Sequence, residues 1–317
     1  MTIARYIKFA GKSVKCLAPL VLATFISGCA GPNLSMQIGN FSTATILTAD
    51  NTRKAFQLVE DNYYREQVSR LAFNSHNTNK FEKFELDSIK PFISTNALQV
   101  RLNILNALTT YAANLSALVG NSSHTNLDQE TTAFAGALTT LDTNLVGDLH
   151  LQKEVFSPGE IQIFTTAINA IGNWLISYKQ EKDAQKAILA MQKPVADICR
   201  LFQKDFAILR DQFSEDAALT FAQDRQYILD HNAQFENTPG EKRAVIEMLA
   251  EFTQQSKSDL QMLDAMPLAV SKLAQAQTAL GQAVSGNKPD NLDSLINELS
   301  AEAQRVSKYY RSLKNNK

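Results

Sequence analysis

Of the 317 residues only three are cysteine, twelve glycine, eight proline and four histidine, and each scarcity excludes something. With so little glycine and proline, and with Ala, Leu, Gln, Glu and Lys abundant, the composition is that of a helical chain and argues against a turn-rich sandwich or barrel. No stretch alternates apolar and polar residues for long, and no Asn-Gly or Asp-Gly turn joins two strand-like runs. The histidines, His76, His124, His150 and His231, are dispersed, and none opens a His-Glu-x-x-His motif or accompanies a Cys-x-x-Cys. His150 and Glu154 are four apart, but Ser157-Pro158 just beyond reads as the start of another helix, so they fall in a loop. A metal site needs three or four converging ligands. There is also no Gly-x-Ser-x-Gly elbow, no Ser-x-x-Lys with its companion motifs, no glycine-rich phosphate loop and no pair of Glu-x-x-His motifs. The sequence thus nominates no catalytic, cofactor-binding or metal-binding residue, and reads as that of a non-enzyme without a cofactor.

What is present begins at the N-terminus. Arg5, Lys8, Lys12 and Lys15 precede an apolar stretch over residues 16–26, and no acidic residue occurs in the first 28 positions. A basic segment, a short apolar segment and a small-residue site form the secretory pattern; the apolar part is too short for a permanent membrane span. The segment ends in Phe25-Ile26-Ser27-Gly28-Cys29, which resembles the lipobox of bacterial lipoproteins, with Phe25-Ile26 where leucine is commonest. That resemblance covers residues 1–29 only. It implies cleavage before Cys29 and acylation of Cys29, and, because Ala30 rather than Asp follows, transfer to the periplasmic face of the outer membrane of a Gram-negative cell. Several acyl chains on one residue give stable anchoring.

Loss of the first 28 residues would remove four of the 31 basic side chains and none of the 32 acidic ones, leaving a net charge of about −5. An acidic body argues against nucleic acid as a partner, since phosphate binding needs clustered Lys and Arg. Nothing after Cys29 approaches 18 uninterrupted apolar residues, so no later segment spans a membrane as a helix. Cys16 would leave with the signal and Cys29 would carry lipid, so Cys199 has no partner within the chain. It lies among apolar helix positions and reads as a small buried hydrophobe rather than a reactive thiol.

Residues 29–44 contain Gly, Ser, Asn and Pro32 without helical period and read as a lipidated tether. Beyond it an all-α domain over 45–317 is expected, with helices near 50–74, 94–120, 125–148, 158–184, 185–233, 241–285 and 290–313. The clearest period runs through Ile188, Met191, Val195, Ile198, Phe202, Phe206, Leu209, Phe213 and Ala217 in steps of three and four. A second stripe follows at Val245, Leu249, Phe252, Leu260, Leu263, Met266, Val270, Leu273 and Leu280. These two predict a long antiparallel hairpin turning at 232–238, within an elongated bundle of six or seven helices. Pro194 predicts a kink in its arm or a division into two helices, and Pro267, with the interruption near Ser256, predicts a bend in the other. Ser157-Pro158-Gly159-Glu160 and Thr238-Pro239-Gly240-Glu241 both read as capping boxes with proline at the first helical position. The helix near 94–120 has a wide apolar face and so belongs near the centre. Two lobes, 45–150 and 157–317, are an alternative to a single body.

Two charged clusters remain. Glu60, Asp61 and Glu66 flank Tyr63-Tyr64-Arg65 and read as a solvated helix face. Arg305, Lys308, Arg311, Lys314 and Lys317 recur every third residue around Tyr309-Tyr310. They read as favourable charge at a helix end or, functionally, as a contact patch for anionic lipid or an acidic partner. The functional expectation is a lipid-anchored protein-interaction module of the cell envelope: a scaffold, adaptor, assembly factor or immunity protein. Carriage of a small apolar ligand between helices and an envelope enzyme stand as alternatives.

Overall fold

The computed structural model describes residues 32–74, 89–119, 184–235, 238–287 and 289–314. Among them are five long helices and one of a single turn, with no strand. These are α1 (Pro32–Asn74), α2 (Thr95–Leu118), α3 (Ala184–Asp230), α4 (Asn232–Phe235), α5 (Pro239–Val284) and α6 (Leu292–Lys314). The all-α fold is as expected, with five long helices where six or seven were anticipated. The helices expected at 125–148 and 158–184, and the Ser157 cap, lie outside the described residues.

The side-chain pairings fix the direction of every long helix. Gln185 of α3 donates to Val284 of α5, Gln277 of α5 donates to Ile188 at 3.0 Å, and Arg210 meets Asp264 at 3.1 Å, so α3 and α5 run antiparallel as expected. Lys272 of α5 meets Glu298 of α6 at 2.6 Å, which turns the chain back again. Gln37 donates to Asp293 and Asn51 to the Ala303 carbonyl, so α1 and α6 are parallel although 256 and 252 residues separate those pairs. Arg53 reaches Asn106 and Thr109, while Glu60 accepts from Phe92 and Ile93, so α2 is antiparallel to α1.

All nine apolar positions named on the α3 stripe are buried, as are the five on α5 from Leu263 to Leu280. Pro194 and Pro267 lie inside continuous helices, so neither divides its arm. The core closes around them with Phe41, Phe56 and Val59 of α1, Ile104, Leu108 and Leu115 of α2, and Leu292, Ile296 and Leu299 of α6. Phe56 packs edge-on to Phe202 with ring centroids 6.1 Å apart. The described parts of the two suggested lobes therefore share one core. A boundary near 150–157 does not set α1 and α2 apart from α3, α5 and α6.

The tether is the largest departure. From Pro32 onward the segment is helix, and Gln37, Ile38, Phe41, Ser42, Ala44 and Thr45 are buried. Ser and Thr weaken a helix when their hydroxyls compete for backbone groups. Here those hydroxyls bond back one turn: Ser42 to Ile38, Thr43 to Gly39, Thr45 to Phe41, Thr48 to Ala44 and Thr52 to Thr48, all at 2.8–3.0 Å. Satisfied in this way, all but the exposed Thr43 are buried in the bundle, and tertiary burial overrides weak local propensity.

Two polar devices fix the packing. Arg101 of α2 forks onto Asp205 of α3 through Nε at 2.8 Å and an Nη at 3.0 Å, both side chains being 2% exposed. Its guanidinium also donates to the Ala97 carbonyl and lies 5.8 Å from the centre of the Phe56 ring. Burial pushes the Asp205 carboxyl upward from its ordinary range, and the guanidinium opposes that push. Higher up α2, the Tyr111 hydroxyl donates to Gln277, whose amide donates to Ile188, so three helices share one chain of hydrogen bonds.

The ends are built unevenly. Ser94 accepts from the Ala97 N–H at 3.3 Å as the N-cap of α2. Thr238 is the N-cap of α5 with Pro239 at the first position, as read, but its side chain does not accept the capping bond; its carbonyl accepts from Glu241 and Lys242 instead. After α5, Gly286 at φ 86° accepts the left-handed turn, with its N–H bonded to Ala283 and that of Asn287 to Gln282.

Two outcomes follow for stability. Arg101→Met should cost about 3–5 kcal/mol in urea unfolding, because Asp205 is left buried without its partner, and pairing it with Asp205→Leu should recover most of that loss. Gly286→Ala should cost about 1 kcal/mol by the same measurement, since alanine resists positive φ.

Candidate interaction surface

At 1.5 Å per residue, the 47 residues of α3 make an arm about 70 Å long. Its hairpin partner α5 has 46 residues and α1 has 43, while α2 and α6 have only 24 and 23. The last buried residue of α3 is Thr220 and the first of α5 is Ser256; no described residue from Phe221 to Gln255 is buried. Along that outer arm Ile228, Val245, Leu249 and Phe252 are half-buried. Leu229 and Met248 are each 55% exposed and Ile246 is 48% exposed; Phe221 and Tyr227 are exposed as well. Single exposed apolar residues are ordinary, but five on one short two-helix arm are a concentration. Tyr227 stacks on His231 at 4.1 Å between centroids, and Lys242 reaches Asn232 at 2.7 Å across the turn.

Where the outer arm joins the bundle, the interior turns polar. Asp216 and Thr220 of α3, Ser256 and Asp259 of α5, and Glu66 of α1 are all buried. Asp216 accepts from Gln212 through one oxygen at 2.7 Å; its other oxygen has no partner. Thr220 Oγ1, Gln223 Oε1 and Ser256 Oγ are likewise buried and unpartnered. Burial, reinforced by the charges of Glu66 and Glu215, pushes the Asp216 carboxyl up to about 6 against the opposing Gln212 bond. Burial also pushes Asp259 up to about 6, opposed by Gln255 and by Arg65. Asp224 is raised by burial and held back by Arg65, whose guanidinium lies 5.1 Å from the Phe252 ring centre.

The carboxylates around Tyr63-Tyr64-Arg65 thus divide. Asp61, Tyr64 and Arg65 are exposed, as a solvated face requires, but Glu66 is 4% exposed. Glu60 accepts from the Phe92 and Ile93 backbone N–H groups, tying the α2 approach to α1; burial raises its carboxyl against those two donors. Sequence spacing placed these groups on a helix surface without saying which of them α3 and α5 would cover.

The stretch of α6 that carries Arg305 and Lys308 runs beside α1. Lys54 of α1 sits 5.0 Å from the Tyr310 ring centre. Arg305 pairs with Glu302 at 2.7 Å, and Lys308 is exposed. Arg311 and Lys314 are described only by their place in the last turn of α6, and Lys317 lies outside the described residues, as does Cys29. A shallow groove of about 420 Å³ runs between α5 and α6, lined by small and amide side chains such as Ala274, Thr278, Gln282 and Asn291.

Among the described residues no group of three or more His, Cys, Asp or Glu is placed to hold a metal, and no helix is long and apolar enough to cross a membrane. Cys199 is buried and free, and burial pushes its thiol up to about 12. Compared with models of protein families, with curated proteins and with solved structures, the chain gives no match.

In a form beginning at Ala30, Cys199 should therefore resist a thiol-specific disulfide reagent at about pH 8 in the folded state and react fully in denaturant. Rapid labelling of the folded protein would show that α3 opens around Phe202.

Proposed function

We propose that this chain is a lipid-anchored interaction module of the bacterial envelope, presenting the outer arm of α3 and α5 to a protein partner. The observation that carries the reading is the unburied arm, whose apolar residues Leu229, Ile246 and Met248 project into solvent about 55–70 Å from the opposite end of the hairpin. Helix faces of this kind take up other helices through spaced apolar anchors. The lipobox-like ending at Cys29 supports the anchor, and the fold adds a geometric reason. With α1 beginning at Pro32 and Gln37 bonded to Asp293, the start of α1 lies at the base of the bundle, where α3 and α6 also begin. An acyl group on Cys29 would hold that base at the membrane and leave the arm at the far end. Confinement to a thin layer raises the effective concentration of the arm towards other envelope proteins.

The basic residues Arg305 and Lys308 stand at the level of Lys54, 22 residues along α1 from Pro32, which is about 33 Å of helix rise. That position suits an acidic protein surface better than the head groups around the anchor.

A photo-crosslinking residue at Leu229 or Met248 in intact cells should give a discrete protein adduct that fades when Leu229, Ile246 and Met248 are replaced by polar residues. Cys29→Ser, exported by an ordinary secretory signal, should weaken the same adduct. No adduct above a matched lipoprotein control would overturn the reading.

A further inference from the structure

The outer arm joins the packed base through a single cross-section, and charged groups enter it from all three helices that meet there. From α3 come Glu215, Asp216 and Asp224; from α5 comes Asp259; from α1 come Tyr63, Arg65, Glu66 and Arg70. The carboxylates outnumber the cations, and both cations, Arg65 and Arg70, are on the exposed side of α1. Asp216 and Asp259 are 2% and 3% exposed, and neither makes a salt bridge among the described residues; their bonded partners there are the neutral amides of Gln212 and Gln255. Above them Thr220, Gln223 and Ser256 each carry a buried oxygen without a partner. Gln223 Oε1, and Asp216 Oδ2 while its carboxyl is ionised, can only accept, whereas the hydroxyls of Thr220 and Ser256 can donate or accept. A proton on a carboxyl oxygen removes one charge from the interior and adds an O–H donor where acceptors wait.

We propose that this layer is a proton-operated clamp between the arm and the bundle: protonation of Asp216 and Asp259 docks the root of the arm onto α1, and their ionisation loosens it. Both carboxyls bind protons more tightly in the folded state than in the unfolded one. Their ionisation therefore penalises docking above about pH 6, and the penalty is relieved as pH falls through that range towards the unfolded value near 4. Tyr63 is raised further above its ordinary range by burial and by the charge of Asp216, and stays neutral throughout. The clamp would set how freely the arm presents its apolar face, whatever partner that face meets.

Amide exchange of the full chain, corrected for the intrinsic pH dependence, tests this. Protection across 221–255 should fall about tenfold or more relative to 262–280 on going from about pH 5 to about pH 7.5. The double variant Asp216→Asn, Asp259→Asn should keep the higher protection at both values. Every other titratable group is retained in that variant, so an unchanged pH response would assign the effect elsewhere and overturn the clamp. Should the variant fail to fold, carboxyl-carbon resonances of the wild-type chain decide the matter. Midpoints above about 5 for Asp216 and Asp259 support the clamp, and midpoints below about 4.5 for both overturn it.

Discussion

The fork of Arg101 onto Asp205, lying over Phe56, joins α1, α2 and α3 at one buried point, and the register of the bundle follows from it. A guanidinium and a carboxylate removed from water repay their desolvation only when their geometry is good and the remaining donors are satisfied. Here two bonds go to the carboxylate and a third to the Ala97 carbonyl. Sliding α2 by one turn would leave Asp205 alone in an apolar interior among Phe202 and Phe206. The chain of bonds from Tyr111 through Gln277 to Ile188 repeats the logic further along, so α2 and α3 are keyed twice, the second time together with α5. Apolar stripes would pack in several registers; these polar contacts select one.

Once that register is set, unequal helix lengths shape the rest. α6 comes alongside α1 only to about the level of Lys54 and Tyr310, and α1 continues to Asn74, while α3 and α5 run on to the turn at Asn232–Phe235. Burial declines in step: a closed apolar core at the base, a polar layer around Asp216 and Asp259, and then an arm with nothing buried. A two-helix arm has only its shared seam to stabilise it, and most helical stability in proteins comes from packing rather than propensity. The arm is accordingly the part of the described structure with least to hold it, and both functional proposals rest on that gradient.

The α3 and α5 stripes were legible because a helix that buries one face against several neighbours must repeat apolar residues every three or four positions. The wide apolar face of α2 announced its central place for the same reason. The polar layer was harder to see. Asp197, Asp205, Asp216 and Asp259 each precede a stripe residue directly, at Ile198, Phe206, Ala217 and Leu260. A helix covered over more than its stripe buries those flanking positions too, so acids at the edge of a stripe were the available signal. Nothing in the spacing distinguishes Asp205, which finds Arg101 across 104 residues, from Asp216, which finds only an amide one turn away.

Composition and periodicity by themselves determined an all-helical chain with a long antiparallel hairpin, since scarce glycine and proline and a 3.6-residue apolar repeat permit little else. They could not determine whether residues 32–44 fold, because a stretch rich in Ser, Thr and Asn is a poor helix alone and becomes a good one only against a neighbour. Contacts with α6, some 250 residues away, decided that, as they decided which carboxylates are buried and how far the arm outruns its partners. Local sequence fixes the period of a helix; only tertiary packing fixes what lies against it, and burial, charge and exposure follow from the neighbour.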